Sequence, residues 1–596
     1  MAIVKMKKVS LVVLDCEREE ALENLRDLGL VHIERIYAGS DKLSALNDKK
    51  GLFERCLFIL PQKIAGDKNK TGDLKTAEKL ADKIVGLGDK LKALSDEKEK
   101  LLKDQKSLEP WGDFNPADVA FLKEKGVELR FYELAKDKLA EISENTEYFT
   151  VSADKNKVFI IATGEIPETE AFALPAAGIS ELGKKIAELD AAIADVNKEL
   201  EALAVEKNII TNGIKLLEKE IEFEAVSADM QVEDELAYID GYVPEDVVKD
   251  LKSVAAKNHW ALLIRDPEGE DNPPSLIRNP KWVQIIEPLF KFLDITPGYK
   301  EADISMFFLM FFSLFVAMIV GDAGYGCIFL ILSLLVAKKA PKQVFVLLMT
   351  LSLGTVIWGT ITGTWFGSQT IVGNTFLGSL VIPSIASFPD AVGSTVDTEA
   401  FIKNFCFWIG IAHLLLGLVI SFARKMPSLA AWADFGWMLI VVASYFVAQK
   451  FVLGAESFSP ITWPLAGAGF AIVCLFSEQN GNFAKGALMG LAWSPMKVLD
   501  SVSMFANLVS YIRLFAVGLA TVAVASSFNA MAGGMAESMG VPGMIIGAVI
   551  LFAAHAFNMV LALLSIVVHG VRLNTLEFGG RVGLEWSGFR YSPFKK

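Results

Sequence analysis

Hydrophobic positions divide the chain into two halves of different character. Up to about residue 300 they are interspersed with most of the lysines, aspartates and glutamates, whereas residues 301–596 are dominated by apolar runs with short polar links between them. About 20 apolar residues are enough for a helix to cross the hydrocarbon core of a bilayer. The pattern therefore predicts a soluble half followed by a membrane half.

Eight apolar runs occur in the second half. They cover residues 304–321, 323–337, 343–366, 404–423, 433–452, 459–476, 497–531 and 542–573. If the first half is cytoplasmic, the inside connections carry Lys338, Lys339, Lys342, Arg424, Lys425, Lys485, Lys497, Arg581, Arg590, Lys595 and Lys596, and the outside ones carry Lys403 and Lys450. Because cytoplasmic loops are enriched in lysine and arginine, this asymmetry predicts an all-α domain of eight transmembrane helices with both termini cytoplasmic. The last two runs exceed the bilayer thickness, so we expect long, tilted helices there.

Two segments of the first half carry apolar residues at alternating steps of three and four. One runs from Ala77 to Leu108, and the other runs from Ile179 to Ile221 with a polar interruption at Lys207. This is the heptad pattern of a coiled coil, and a helix over the second segment would be roughly 60 Å long. The pattern predicts a long antiparallel coiled-coil hairpin that pairs residues 71–109 with residues 178–225.

Strand and helix patterns flank this hairpin and predict two small α/β lobes. Near the N-terminus, 9–14 and 31–35 are typical of strands and 18–28 of a helix, and a matching strand, helix and strand occupy 236–264. We therefore predict a proximal lobe from residues 1–70 with 226–270 and a distal lobe from residues 110–177. The fold class is an α+β cytoplasmic half, residues 1–300, joined to a membrane domain, residues 301–596.

Composition excludes several classes of function. The net charge of −13 lies mainly in the soluble half and argues against nucleic-acid binding. The five cysteines are scattered, without metal-site or disulfide spacing, which favours a reducing compartment for the soluble half. The apolar stretch that starts at Val9 is too short for a secretory signal peptide. No pattern indicates a nucleotide site, an activated nucleophile, a metal or another cofactor, so we predict no catalytic residues and no enzyme activity of the chain by itself.

Two arginines lie in the last two apolar runs. Arg513 has no acidic residue nearer in the sequence than Asp500, and Arg572 follows in the last run. A guanidinium stays protonated and costs roughly 2.5–3.5 kcal/mol at the centre of a membrane helix, so each one needs a polar partner or an aqueous cavity. Two such cations in consecutive helices indicate a path for ions or protons.

Smaller polar side chains line up with these arginines. One stripe contains Ser503, Asn507, Ser510 and Arg513, and the other contains His555, Asn558, Ser565, His569 and Arg572. Spacings of three, four or seven residues place side chains on one face of a helix. Serine and asparagine alone are more often packing contacts between membrane helices, but packing does not require a cation at that depth. We therefore expect these stripes to line an ion path.

Two other features of the membrane half have simpler interpretations. The glycine-rich segment 321–326 lacks the Lys-Ser/Thr of a phosphate loop, and it predicts a tight turn in which Asp322 caps the second apolar helix. His413 lies on an apolar helix, and we interpret it as a packed or hydrogen-bonded residue and not as a ligand.

Three segments resemble the signatures of the large membrane stator subunit of V-type and archaeal-type (V/A) rotary ATPases, called subunit I or subunit a. They are Ser510-Tyr-Ile-Arg-Leu-Phe-Ala-Val-Gly-Leu-Ala520, His569-Gly-Val-Arg-Leu-Asn-Thr-Leu-Glu-Phe578 and Met318-Ile-Val-Gly-Asp-Ala-Gly-Tyr-Gly326. The resemblance covers the whole chain, including the link that ends at Asn279 and the entry segment 299–304. Each segment alone is a weak signal, whereas together they are highly specific.

The resemblance implies a role for the buried arginines. Arg513 would face the ion-binding carboxylates of a rotating proteolipid ring, and Arg572 matches the second arginine on the last helix. Ser503, Asn507, Ser510, His555, Asn558 and His569 would line two aqueous half-channels for protons or sodium ions. The implied partners are the proteolipid ring, peripheral stalk subunits of the E/G type, a central-stalk adaptor of the C/d type and the lipid bilayer. The coiled coil would be a stator strut whose lobes dock the stalk subunits.

One position departs from the family pattern. Eukaryotic members carry an acidic residue two turns before the histidine of the final helix, where this chain has Ala562, so an acidic relay is not expected at that site. Two alternatives remain at this point. One is a secondary transporter with a cytoplasmic coiled-coil regulatory domain, although the sequence has no internal repeat. The other is a tether without transport, which leaves both arginines unexplained.

Overall fold

The architecture comes from a computed structural model that describes residues 3–62, 64, 72–136, 147–154, 156–166, 169–175, 177–373, 376–479 and 481–595. Among the lysines used for the topology prediction, Lys596 lies outside the described residues. The strands are β1 Met6–Leu14, β2 His32–Ile33, β3 Arg130–Ala135, β4 Tyr148–Ala153, β5 Lys157–Ala162, β6 Gln231–Glu233, β7 Leu236–Pro244 and β8 Ala261–Arg265.

Helices of the first half are α1 Arg18–Leu28, α2 Asp41–Ile59, α3 Leu74–Leu108, α4 Pro116–Glu124, α5 Ile179–Ala204, α6 Lys207–Asp229, α7 Val248–Lys257 and α8 Glu287–Phe292. Those of the second half are α9 Ser305–Val320, α10 Ala323–Val336, α11 Lys342–Thr362, α12 Gln369–Gly373, α13 Pro389–Val392, α14 Thr398–Lys425, α15 Ala431–Phe451, α16 Thr462–Phe476, α17 Phe483–Ala492, α18 Ser494–Val509, α19 Ile512–Met539, α20 Val541–Ser565 and α21 Gly579–Val582.

Both ends of the soluble half contribute to one sheet. Strand β1 pairs antiparallel with β7, from Met6 opposite Pro244 to Leu14 opposite Leu236, and it pairs with β8 on its other edge. The strand order is β2-β7-β1-β8, with β6 added to β7. Alternate residues of β1 are buried against α1 and α7, as a strand with one covered face requires. The predicted strands and helices of this lobe are confirmed.

Long helices connect this sheet to a second, smaller one. Near its start, α3 lies close to α6, because a Cβ at Gly213 would be 2.8 Å from the Cβ of Ala77. Near its end, Lys98 of α3 pairs with Asp190 of α5. The two chain segments therefore run in opposite directions. At the far end, β3, β5 and β4 form a three-stranded sheet whose core centres on Trp111.

Two details of these long helices differ from the sequence prediction. The apolar seam from Ile179 to Ile221 is not one helix, because a turn at residues 205–206 separates α5 from α6. In addition, α2 packs against both α3 and α6 and buries Phe53 and Cys56. At the proximal end the bundle therefore contains more than the two predicted helices.

The C-terminal tail is part of the proximal lobe. The Tyr591 hydroxyl donates to the carbonyl of Leu30, and the Phe594 N–H donates to the carbonyl of Val31 at 2.9 Å. Phe594 is buried in the core beneath β1 and β7 and packs against Phe223. The end of the chain is thus held against the start of the chain, a contact for which the sequence carries no periodic signal.

The second half is helical throughout its apolar runs. Among the described residues, five helical segments are long and apolar enough to cross a membrane, namely 342–362, 398–425, 431–451, 494–539 and 541–582. Shorter apolar helices cover 305–320, 323–336, 462–476 and 483–492. Each of the eight predicted apolar runs is represented by a helix, and α17 is an additional one. The two longest segments are interrupted, at residues 510–511 and by π-helical turns at 566–570 and 573–578, so neither is the single regular helix expected from sequence.

Candidate functional site

Arg513 lies directly after a break in its helix. Helix α18 ends at Val509 and α19 begins at Ile512, which leaves Ser510 and Tyr511 in a turn. The Ser510 carbonyl accepts from the backbone N–H of Arg513 at 3.2 Å and also from its side-chain Nε at 3.0 Å. A side chain that enters the backbone ladder in this way is a recognised cause of a helix break. The guanidinium is thereby held close to its own backbone.

Tyr511 anchors this break from the opposite side. The tyrosine is fully buried, and its hydroxyl lies 2.9 Å from Nδ1 of His413 on α14. Gly410, one turn earlier on α14, allows the ring to approach, since a Cβ there would lie 2.8 Å from it. His413 itself is stacked between Phe311 and Phe578, with ring centroids at 3.9 and 4.2 Å. The prediction that His413 is a packed, hydrogen-bonded residue is confirmed.

Glu577 is the partner of the buried arginine. Nη2 of Arg513 donates to Oε1 of Glu577 at 2.7 Å, and Nε of Arg572 lies 3.6 Å from the same oxygen. The glutamate is 3% exposed, whereas the side chains of Arg513 and Arg572 are 23% and 54% exposed. One deeply buried carboxylate thus lies between two guanidiniums that reach the surface of the protein.

A π-helical turn makes this cluster possible. Arg572 precedes and Glu577 lies within the turn 573–578, and His569 lies in the preceding π turn. Residues five apart fall on different faces of an α-helix, but the wider i→i+5 geometry of a π-helix brings them together. The Nδ1 atom of His569 and the Oε2 atom of Glu577 are both buried without a hydrogen-bond partner among the described residues. The cluster therefore keeps one unmatched polar atom on each of these two side chains.

The predicted polar stripes separate into two groups. Ser510, His569 and Arg572 lie beside Arg513. By contrast, His555 and Asn558 belong to a network around Tyr325 of α10, whose hydroxyl is 2.7 Å from Nδ1 of His555 and accepts from Nδ2 of Asn558 at 3.1 Å. Asn558 also donates to the carbonyl of Thr521, and Nε2 of His555 lies 3.2 Å from Oδ1 of Asn529. The π turns shift the register of the last helix between the two groups.

The remaining predicted residues are less engaged. Ser503 is exposed and Asn507 is half-buried on α18, two turns and one turn before the break respectively, and neither side chain joins the Arg513 cluster within the described residues. The Ser510 hydroxyl donates to the carbonyl of Ala506, and Ser565 lies half-buried at the end of α20. These positions form a sparse polar edge and not a bonded network.

Asp322 secures the turn beside the Tyr325 network. Its Oδ1 accepts from the N–H groups of Gly324, Tyr325 and Phe366 at 2.8, 3.2 and 2.9 Å, and its Oδ2 accepts from the N–H of Gly367 at 2.9 Å. The predicted N-cap of α10 is confirmed. The two further bonds tie the loop after α11 to the same carboxylate, which is buried. The carboxylate is a structural centre of this end of the domain.

Relatives of known name match the whole chain. V-type ATP synthase subunit I of Borreliella burgdorferi is 32% identical over 614 residues, covering 100% of this chain and 99% of the relative. The chain belongs to the V-type ATP synthase subunit I family. V-type ATP synthase subunit I 1 of Treponema pallidum is 31% identical, with 100% of both chains covered, and A-type ATP synthase subunit I of Methanocaldococcus jannaschii is 27% identical over 68% of this chain and 63% of its own.

Other comparisons add little to this assignment. No family model matches the sequence. A crystal structure of the cytoplasmic N-terminal domain of subunit I, described as the homologue of subunit a of V-ATPase, aligns with 44% of this chain and 100% of its own at 14% identity and a TM-score of 0.23.

Membership of the family confirms the resemblance seen in the sequence motifs. The protein is a non-catalytic membrane subunit of a rotary ATPase, and the alternative of a secondary transporter is set aside.

Proposed function

We propose that this subunit I supplies the fixed cation that faces the carboxylates of a rotating proteolipid ring, together with the half-channels that lead ions to it. The observation that carries the proposal is the set of contacts and the exposure of the Arg513 side chain. Its Nε and Nη2 groups are engaged by Ser510 and Glu577, its side chain is 23% exposed, and Nη1 has no partner among the described residues. The guanidinium is thus fixed by its own chain and has donors left for a carboxylate that arrives from outside.

The chemistry follows from charge. A ring carboxylate that carries a proton or a sodium ion is neutral while it faces lipid. Beside a guanidinium in a low-dielectric contact its ionised form is favoured, so it releases its ion there. Arg513 also repels cations, and it therefore separates the two aqueous paths. Arg572, on the more exposed side of Glu577, would strengthen the positive potential at this site.

The two polar groups suit two separate half-channels. Ser503 and Asn507 precede Arg513 along α18, whereas Thr521 and Asn529, which contact the Asn558 and His555 network, follow it along α19. Asn507 and Thr521 lie about 9 Å and 12 Å from Arg513 along the helix axis. We assign the first group to the channel on the side of the soluble half and the second group to the channel on the opposite side, with His569 at their junction.

A broad apolar face accompanies the cluster. Val549, Phe552 and Val560 of α20 are 65%, 79% and 61% exposed, as are many of their neighbours on this helix. An exposed apolar surface of this extent in a membrane protein suits lipid or the apolar outer surface of another membrane subunit. Helix α20 packs against α19, which carries the partly exposed Arg513, and this favours the proteolipid ring as the neighbour. The proposal is tested by substituting Arg513 in the assembled complex. Ion transport into sealed vesicles and ATP hydrolysis are then measured on the same preparation.

The membrane topology is part of this proposal. We expect Val396→Cys and Glu537→Cys to react with a membrane-impermeant maleimide added to intact cells, and Lys339→Cys and Lys425→Cys to react only after the cells are opened. The variants are made in a Cys16→Ser background, since Cys16 is an exposed native thiol. Labelling of Lys425→Cys in intact cells would contradict eight spans with both termini cytoplasmic.

We also propose that residues 1–300 form a stator strut, divided into the two lobes and the coiled coil at the boundaries predicted from sequence. The proximal and distal lobes would dock peripheral stalk subunits and the central-stalk adaptor. The antiparallel helices α3 and α5 support this role, because a packed helical rod resists torque.

Disruption of the strut should uncouple the motor. Leu189 and Ile193 are half-buried on α5, and the pair Leu189→Asp with Ile193→Asp should weaken stalk binding and lower the ratio of ions moved to ATP hydrolysed. The matched control is Ala187→Asp with Ala191→Asp, which adds the same two charges at exposed positions of the same helix. Full coupling and normal stalk binding in the first variant would refute the strut.

A further inference from the structure

A second site lies at the end of the membrane helices that faces the soluble half. Helices α9 and α11 both begin at this end, and the segment before α8 crosses beside them. Together they enclose a groove of 910 Å³ whose mouth carries Lys281, Trp282 and Lys342. None of these residues contacts the Arg513 cluster or the Tyr325 network.

The groove continues along the membrane helices with an apolar lining. Leu309 and Met310 of α9 and Val346 of α11 line it. The hydroxyls of Ser313 and Thr350, also in the lining, donate back to the carbonyls of Leu309 and Val346 at 2.8 Å each, so they present little unmet polarity. From Lys342 to Thr350 the groove extends about 12 Å along α11. The lining suits hydrocarbon chains and not a soluble polar ligand.

The mouth of the groove has the opposite character. Neither Lys281 nor Lys342 has an ion-pair partner within the described part of the chain, and the lining contains no acidic residue. Trp282 is 58% exposed at the same level. Tryptophan and lysine together at the end of membrane helices mark the interface between hydrocarbon and headgroups, and basic pockets at that level bind anionic headgroups.

We propose that this groove binds one anionic phospholipid, with its phosphate between Lys281 and Lys342 and an acyl chain along Leu309, Met310 and Val346. A cationic mouth above an apolar slot matches a lipid that is negatively charged at the head and apolar below. The occupant is a lipid of the surrounding bilayer, which supplies both features in one molecule. The inference uses none of the proposed ion-path residues, so the two proposals fail independently.

Photo-crosslinking tests the proposal. The full chain is reconstituted in bilayers that contain a phosphatidylglycerol probe with a photoreactive acyl chain, and labelled peptides are identified by mass spectrometry. We expect labels on residues 305–320 and 342–362, displaced by unlabelled phosphatidylglycerol but not by phosphatidylcholine. The double variant Lys281→Gln with Lys342→Gln should raise about thirtyfold the concentration of unlabelled phosphatidylglycerol that displaces the labels. Each lysine near the membrane surface contributes about a factor of five to the affinity for an anionic headgroup.

Matched variants distinguish lipid binding in the groove from attraction of the lipid to surface charge. Lys338→Gln with Lys339→Gln removes the same two charges from the neighbouring α10–α11 loop, outside the groove, and should leave the competition unchanged. Met310→Trp, which fills the slot without a change of charge, should remove the labels. Equal labelling by a phosphatidylcholine probe, an equal loss in the loop variant, or an absence of labels on these two helices would overturn the proposal.

Discussion

Replacement of Arg513 by Gln should abolish ATP-driven ion transport, with a loss of at least about a hundredfold, which corresponds to about 3 kcal/mol of lost electrostatic stabilisation. The glutamine removes the charge that opposes a ring carboxylate. Arg513→Lys should restore transport only in part, because an ammonium lacks the planar fork that can donate to Ser510, Glu577 and a ring carboxylate together. Ion uptake into sealed vesicles is measured beside ATP hydrolysis.

Loss of assembly must be distinguished from loss of transport. Arg513→Gln leaves the buried Glu577 with only the longer ion pair to the more exposed Arg572, and loss of one partner of a buried pair costs up to about 3–5 kcal/mol. The double variant Arg513→Gln with Glu577→Gln removes this penalty, so we expect restored assembly without restored transport. Lys485→Gln, which removes one exposed charge from α17, serves as the control and should transport normally. Normal pumping by the double variant would refute the role of Arg513.

Replacement of Asp322 by Ala should destabilise the membrane half by about 4 kcal/mol. Its carboxylate accepts four backbone N–H groups, and each buried donor left without a partner costs about 1–3 kcal/mol. Asp322→Asn should be intermediate, because the amide retains one acceptor oxygen but directs its NH₂ group at a donor. The apparent melting temperature of the purified chain in detergent reports the loss.

A graded control accompanies this variant. Asp397 caps α14 and accepts a single N–H, that of Ala400 at 3.0 Å. Asp397→Ala should therefore cost only about 1 kcal/mol. Equal melting temperatures for the Asp322 and Asp397 variants would show that the bonds to Phe366 and Gly367 add nothing to an ordinary helix cap.

Periodicity and desolvation cost explain what the sequence could predict. The strands of the proximal lobe and the apolar helices follow from patterns that local packing enforces. Arg513 could be identified because a guanidinium in an apolar run has a high desolvation cost. Asp322 could be identified because an aspartate after a turn commonly caps the helix that follows. In each case a few neighbouring residues carry the whole signal.

Features that depend on distant or irregular contacts were missed. Glu577 lies five residues after Arg572, and regular α-helical spacing would place the two on different faces. Only the π-helical turn brings them together, and the one available sign was an acidic residue near the end of an apolar run. Tyr325 and Asn529 were missed for a similar reason, because their partners lie on other helices. Helix α2 has too weak an apolar stripe to indicate what it packs against.

The position of Phe594 has a consequence for biogenesis. Chains emerge from the ribosome N-terminus first, and domains commonly fold in that order. The core of the proximal lobe, however, includes Phe594, which follows all the membrane helices in the sequence. The core of the lobe can therefore be completed only after all the intervening membrane helices have been synthesised.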